Sequence, residues 1–278
     1  NDLFLSLLKT RWQNKMLLAN KIYSYLRFKS QNEIFNNLFG WIIVFVAVLG
    51  WWAISNSISE LVMPGPLAVG KMIVDLFSDP IFLDDIFIST IRVIFSVVIS
   101  VIIGMLLALI SKGFPITEII VQERIKPFLN SFPSVGWAIL AVIWFGSSSF
   151  SVMFVQIAIL VPFCLVNLSE GLKDLDEEII EMGRSFSRNK IKIFFKITLP
   201  LLLPHVIAAV RIAYGVCWKI ALVSELFGAE SGIGVIMLRA QTTANATMVF
   251  ASCFAIVIIF MLGEKFIINP LARLAEPK

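Results

Sequence analysis

Charge is scarce in this chain. Of its 278 residues only 15% are Asp, Glu, Lys or Arg, where a soluble globular domain carries roughly 25%. That deficit excludes an ordinary solvated exterior. With 58% hydrophobic residues and a mean hydropathy of +0.89, the surface must face lipid. Histidine is nearly missing: His205 stands alone, without a second imidazole or a carboxylate at ligand spacing, which argues against a zinc site. Cys164, Cys217 and Cys253 lie far apart in apolar runs with no C-x-x-C pair, so they read as packing residues. There is no G-x-S-x-G elbow, and no one apolar run holds a paired carboxylate, His cluster or thiol nucleophile to supply a catalytic centre. Gly65, Gly70 and Lys71 come near the spacing of a phosphate-binding loop. Met72, however, stands where a magnesium-binding hydroxyl is needed, and no buried strand precedes the loop. Asn245 and Thr247 match a glycosylation acceptor by chance. The chain is therefore expected not to be an enzyme and to hold no cofactor of its own.

Long apolar runs are what the chain has in abundance. Six segments, 38–58, 85–110, 128–145, 150–168, 200–223 and 246–268, each suit a bilayer crossing as a helix of about 20 residues. Pro127, Pro133, Pro162 and Pro204 fall near or inside them, where neighbouring helices can satisfy the freed carbonyls. Lys and Arg number six in 1–37, three in 111–127 and six in 169–199, with Lys265, Arg273 and Lys278 at the C-terminal end. The opposite side carries only Lys71 and Arg239 in its loops. This bias predicts that both termini are cytoplasmic, with Trp51, Trp52 and Trp144 near the outer interface. The segment 1–37 scatters its basic residues and so is not a secretory signal. Phe4, Leu8, Trp12 and Met16 recur every four residues, as in an amphipathic helix on the membrane surface. A loosely ordered basic tail is the alternative for its first ten residues. Residues 38–268 then form the membrane domain and 269–278 a cytoplasmic tail.

The cytoplasmic loop 170–200 is patterned. Leu172, Leu175, Ile179, Met182, Gly183 and Phe186 fall at steps of three and four, while Asp174, Glu177, Glu178, Glu181 and Arg184 take the other side. This predicts an amphipathic helix outside the membrane. Asp174, with Glu177 three residues later, is its expected start signal, and Glu181 and Arg184 are expected to pair. A run from Lys190 to Lys196 then alternates cationic and apolar residues before Leu199 and Pro200 open the next span. Two readings fit the pattern: a helix that seats in another protein's groove, or a connecting helix lying on lipid.

The stretch Glu181-Met-Gly-Arg-Ser-Phe-Ser187, followed nine residues later by Ile197-Thr-Leu-Pro200, resembles the EAA loop of binding-protein-dependent ABC permeases. That loop reads E-A-A, three residues, G, nine residues, I-x-L-P. Met182 and Gly183 replace its two alanines, and Ser187 replaces its glycine. Ser187 either takes a left-handed backbone at a cost of about 1 kcal/mol, part of which Asn189 could absorb, or signals a different turn. The resemblance extends over roughly residues 38–270. Ser89-Thr-Ile-Arg92, Phe132-Pro-Ser134, Ile143-Trp-Phe-Gly146, Ser224-Glu-Leu-Phe-Gly-Ala229 and Ser231-Gly-Ile-Gly234 are similar to the branch that imports aliphatic sulfonates, taurine, nitrate or bicarbonate. The resemblance implies an all-α, six-transmembrane-helix type I ABC importer permease of the bacterial inner membrane. Its partners would be two copies of a separate ATPase that binds ATP and Mg, a periplasmic or lipid-anchored binding protein, a second permease copy and lipid, but no nucleic acid. Glu177, Glu178, Glu181, Met182, Gly183, Arg184, Phe186 and Ser187 would couple to the ATPase.

Ionisable residues inside a span are expensive and mark function or pairing. Arg211 and Lys219 lie in the fifth span. Arg211 and Trp218 share a face, and Lys219 is rotated about 80° from it. Arg211, Tyr214, Trp218, Lys219 and Glu225 are the candidates for the substrate path. The alternative for Arg211 is an interhelical ion pair, with Glu225 as partner, or snorkelling. Arg92, close to Asp84 and Asp85, reads as an interface anchor. Gly232 and Gly234 suit either a tight segment approaching the pore or a flexible turn. Two other functions remain open: an ion-coupled secondary transporter, or a permease whose solute is a vitamin or pyrimidine precursor.

Overall fold

The computed structural model describes residues 39–113, 119–187 and 189–275, and every regular element among them is helical. The expected surface helix of 1–37 lies outside the described residues. The chain divides after Ser59 into two parts, each described by itself. The first contributes α1 (Phe39–Ser55), an apolar helix shorter than the other spans. It stops at Ser55, whose hydroxyl donates to the Trp52 carbonyl at 2.9 Å, instead of reaching residue 58.

In the second part, α2 (Pro66–Ser78) opens with Pro66 in its first turn, where the missing N–H costs nothing. Gly70 and Lys71 lie within this helix, so no phosphate-binding loop forms. Next comes α3 (Pro80–Gly113), whose 34 residues span about 51 Å at 1.5 Å per residue. That exceeds the ~30 Å hydrocarbon core, so the helix must tilt or project. Ser89, Val93, Ser96, Val97, Ser100, Gly104, Ala108 and Ser111 form its buried stripe, while Ile91, Phe95, Ile102 and Leu106 point outward. Small residues inside and large ones outside are how helices pack in lipid, where close backbone approach replaces hydrophobic drive. At Gly104 a Cβ would lie 2.6 Å from the Cys164 side chain of α6 (Ser149–Lys173). Lys112 donates to the Leu172 carbonyl at 2.7 Å, so α3 and α6 run in parallel.

The expected third span, 128–145, is not one helix. It breaks into α4 (Ile119–Ser131) and α5 (Ser134–Phe145), bent by 87° at Phe132 and Pro133. Pro133 forces Phe132 into extended backbone, so the helix ends there although apolar residues continue on both sides. Across the break Phe132 packs tilted against Trp137, which meets Phe154 of α6 edge to face. Beyond α6 come α7 (Glu177–Phe186), the long α8 (Ile191–Gly228), α9 (Ile233–Thr242) and α10 (Ala246–Arg273). Helix α8 packs antiparallel on α6 and α3, while α10 packs on α2 and α9. Widened π turns at Ile119–Ile125, Phe194–Thr198 and Glu264–Ile268 directly precede Pro127, Pro200 and Pro270. A proline lacks the N–H of the regular ladder and crowds the preceding turn, and the wider turn accommodates both defects. Among the described residues four helices are long and apolar enough to cross a membrane, or five if the bent pair counts as one, against six expected over the whole chain.

Candidate functional site

The loop between α6 and α8 carries one short helix with a firm start. Asp176, not Asp174, caps α7: its carboxylate accepts from the Glu178 amide at 2.9 Å. Asp174 instead caps the C-terminal end of α6 and lies 3.5 Å from His205 of α8. The expected single stripe is therefore divided. Leu172 and Leu175 are buried before α7 begins, whereas on α7 itself Met182 is 55% and Phe186 85% exposed. Gly183 explains its own identity. A Cβ there would run into the end of the Ile197 side chain, which would have to shift, so glycine allows α7 a close approach to the start of α8. The two halves of the recognised sequence pattern thus touch each other.

Ser187 takes the second of its two readings, a different turn. Its φ of −151° and ψ of 130° are extended, so no left-handed glycine site exists and no strain arises. Asn189 absorbs no such strain either: its side chain accepts from the amides of Ile191 at 3.0 Å and Lys192 at 3.2 Å, starting the next helix. Glu178, Glu181 and Arg184 are exposed, and Glu181 and Arg184 form no ion pair with each other. Glu177 is the first residue of α7.

Inside the membrane segments the charges are arranged differently from the sequence reading. Arg92 is not an interface anchor. It is 3% exposed and pairs with Glu225, itself 1% exposed, at 3.1 Å. Arg92 Nε and Nη2 donate to the Ser149 hydroxyl at 3.2 and 2.8 Å, and Nη1 donates to the Ser231 carbonyl at 2.7 Å. The Glu225 carboxylate also accepts from the Ser89 hydroxyl at 2.7 Å and the Gly234 amide at 2.9 Å. Ser89 Oγ accepts from the Ile233 amide at 2.9 Å, and Asp85 from the Gly232 amide at 2.7 Å. Full internal pairing makes so buried a charge pair tolerable. It also leaves Glu225 enclosed, not lining an open path.

Arg211 pairs with Glu264 of α10 at 2.7 Å and donates to Asn269 at 3.2 Å, not with Glu225. Tyr214 is buried, stacked on Phe260 with ring centroids 5.5 Å apart. Lys219 is exposed on the wall of a groove between α8 and α10, lined by Gly215, Trp218, Leu222, Cys253, Val257 and Phe260. Of the five path candidates, the structure brings only Trp218 and Lys219 into this groove. The Arg92–Glu225 network is the site that sequence reasoning missed. Its one visible signal was an Arg inside one apolar span and a Glu just past the end of another, each close to small polar residues.

A bundle of long apolar helices with an exposed short helix between two of them and a buried ion pair is the architecture of a membrane-transport subunit. Among the described residues no cluster of His, Cys, Asp or Glu could hold a metal. Residues 86–278 match the family of binding-protein-dependent transport system inner membrane components, and the chain belongs to that family. It is thus the non-catalytic, multi-pass permease of an ABC importer, which sets aside an ion-coupled secondary transporter. A probable ABC transporter permease of Brucella melitensis biotype 1 is 24% identical, over 81% of this chain and 92% of its own length. The putative aliphatic sulfonates transport permease SsuC of Bacillus subtilis is 21% identical, over 86% and 87%. The formylaminopyrimidine transport permease ThiX of Halalkalibacterium halodurans is 25% identical, over 80% and 88%. In fold, the chain is similar to an inward-facing structure of the MetNI methionine ABC transporter, with a TM-score of 0.59 at 18% identity, covering 71% of this chain and 97% of that one.

Proposed function

We propose that two copies of this chain enclose the path of a small anionic solute of the sulfonate, taurine, nitrate or bicarbonate kind. The observation that carries the solute class is Lys219, a cation on an otherwise apolar groove wall. Such a charge needs an anionic partner in a low-dielectric setting, whereas Arg211 already has Glu264. The kinship to a permease named for aliphatic sulfonates supports this reading. In this arrangement residues 38–268 form six spans with both termini cytoplasmic, 1–37 lies at the membrane surface, and 269–278 is a cytoplasmic tail. A binding protein delivers the solute and does most of the selecting.

Two ATP-binding subunits carry ATP and Mg, and each receives one loop 170–200. Met182 and Phe186 are the apolar anchors that enter its groove, rimmed by Glu177, Glu178, Glu181 and Arg184, with Gly183 and Ser187 setting the seat. Closure of the ATPase pair displaces α7. The contact of Gly183 with Ile197 passes that displacement to the start of α8, and the bundle shifts between two packings of the same helices. A pyrimidine precursor is the second reading, favoured by the ThiX relative and by the apolar groove wall.

Uptake of labelled taurine, an alkanesulfonate and formylaminopyrimidine, measured in cells lacking their own importers, separates the two readings. Anion transport is expected, falling at least about tenfold in Lys219→Gln, which is the rate effect of about 1.4 kcal/mol of lost stabilisation. Transport of the pyrimidine alone contradicts the anion reading, and sulfonate uptake untouched by the substitution contradicts the role of Lys219.

A further inference from the structure

Beside α9 lies a cavity of about 200 Å³ that shares no residue with the α8–α10 groove. Pockets that take drug-sized ligands start at about 300 Å³, so its occupant is small. Asp85 reaches it from the early turns of α3. Ile236, Arg239 and Thr243, spaced by three and four, follow one side of α9 to its C-cap, and Asn245 and Met248 close the wall at the start of α10. The turn between α9 and α10 is firmly fixed: the Asn245 amide donates to the Ala240 carbonyl at 2.8 Å, and the Asn245 side chain accepts from the Met248 amide at 3.0 Å. Two opposite charges line this space without pairing with each other. Arg239 is exposed and has no ion pair among the described residues. Asp85 is half-buried and gives one oxygen, Oδ1, to the Gly232 amide at 2.7 Å. Its second oxygen is left to accept from another donor.

We propose that this cavity binds a small zwitterion, an oxyanion joined to an ammonium group by a short chain, with the oxyanion on Arg239 and the ammonium on Asp85. A guanidinium presents paired donors that fit the edge of a sulfonate or phosphate, and a carboxylate accepts from an ammonium. Either charge alone would take a plain ion; the two on one small cavity select a molecule carrying both. Ile236 and Met248 offer apolar wall to the connecting methylenes. The assignment rests on the reading of the chain as an importer of small anions with this end outside. It narrows the solute to aminosulfonates such as taurine, met at the outer end apart from the Lys219 groove. The headgroup of an ethanolamine phospholipid carries the same chemistry, and the test separates the two sources.

Equilibrium binding of labelled taurine, and of labelled ethanesulfonate, which lacks the ammonium, is measured on the full-length chain with its ATP-binding subunit in phosphatidylcholine nanodiscs. Taurine binding is measured again with phosphatidylethanolamine added. Wild type is expected to prefer taurine. Arg239→Gln is expected to weaken both ligands at least about tenfold, as loss of a charge-assisted contact implies. Asp85→Asn is expected to weaken taurine at least about tenfold without weakening ethanesulfonate. Asparagine can still accept from the Gly232 amide, so α9 keeps its anchor and the unfolding temperature is expected to stay unchanged. Arg239 is exposed, and its substitution keeps the test decisive if Asp85→Asn fails to fold. No saturable taurine binding by wild type, equal binding of the two ligands, or taurine binding untouched by both substitutions overturns the cavity assignment. Loss of taurine binding in Lys219→Gln alone also overturns it, and spares the anion reading. Binding that follows Arg239 and Asp85 while cells take up no sulfonate supports the cavity and contradicts the proposed transport. Displacement of taurine by phosphatidylethanolamine supports the zwitterion site and overturns the free solute as its occupant.

Discussion

Single residues carry two kinds of constraint in this permease, and each predicts its own failure. Arg92 and Glu225 are buried against each other, so removing one leaves an uncompensated charge. Arg92→Met is expected to cost about 3–5 kcal/mol, read as a lower unfolding temperature in detergent. A steric constraint acts at Gly183, where any side chain meets Ile197. Gly183→Val is expected to cost about 1–3 kcal/mol locally. The measurable result is weaker retention of the ATP-binding subunit with little change in global unfolding. Neither constraint was open to local reading. The partner of Arg92 lies 133 positions away, and a spacing of three and four says which side of a helix is apolar without saying what presses on it. Ser187 shows the converse: the recognised pattern suggested a left-handed glycine site, and the actual backbone is extended.

At the level of elements, the hydrophobic runs announced themselves because lipid demands uninterrupted apolar surface. The ends were less legible. Asp174 and Asp176 are both competent caps, and only the stop of α6 at Lys173 decides that Asp176 begins α7. Asp176→Ala is therefore expected to weaken α7 by about 1 kcal/mol, seen as faster amide exchange in 177–186, while Asp174→Ala leaves that exchange unchanged. The run 128–145 was read as one span because its apolarity continues through Phe132 and Pro133. Backbone geometry, to which hydropathy is blind, breaks it there. The proline signals were visible throughout; the widened turns before Pro127, Pro200 and Pro270 are the structural answer to them. The short α7, by contrast, was readable as amphipathic, since a helix outside lipid must alternate its faces.

For the whole molecule, the proposed energy supply and the proposed solute path fall on two separate features. Lys219 sits in the groove between α8 and α10, and the exposed face of α7 lies in the loop joining α6 to α8. Altering one is expected to spare the other. Family membership was legible because the pattern from Glu181 to Pro200 joins residues that touch in space, Gly183 and Ile197 among them. The solute was not, because one lysine on an apolar wall defines a charge and no shape. The most direct test of the coupling is co-purification of the cognate ATP-binding subunit, co-expressed with wild type, Lys219→Gln and Phe186→Asp. Phe186 is 85% exposed, and burying such a side chain in a partner contributes about 1.5–3 kcal/mol. The expected result is full retention by wild type and Lys219→Gln, and loss in Phe186→Asp at an unchanged unfolding temperature. Equal retention by Phe186→Asp, or a wild-type permease that never holds the subunit, would contradict docking through α7.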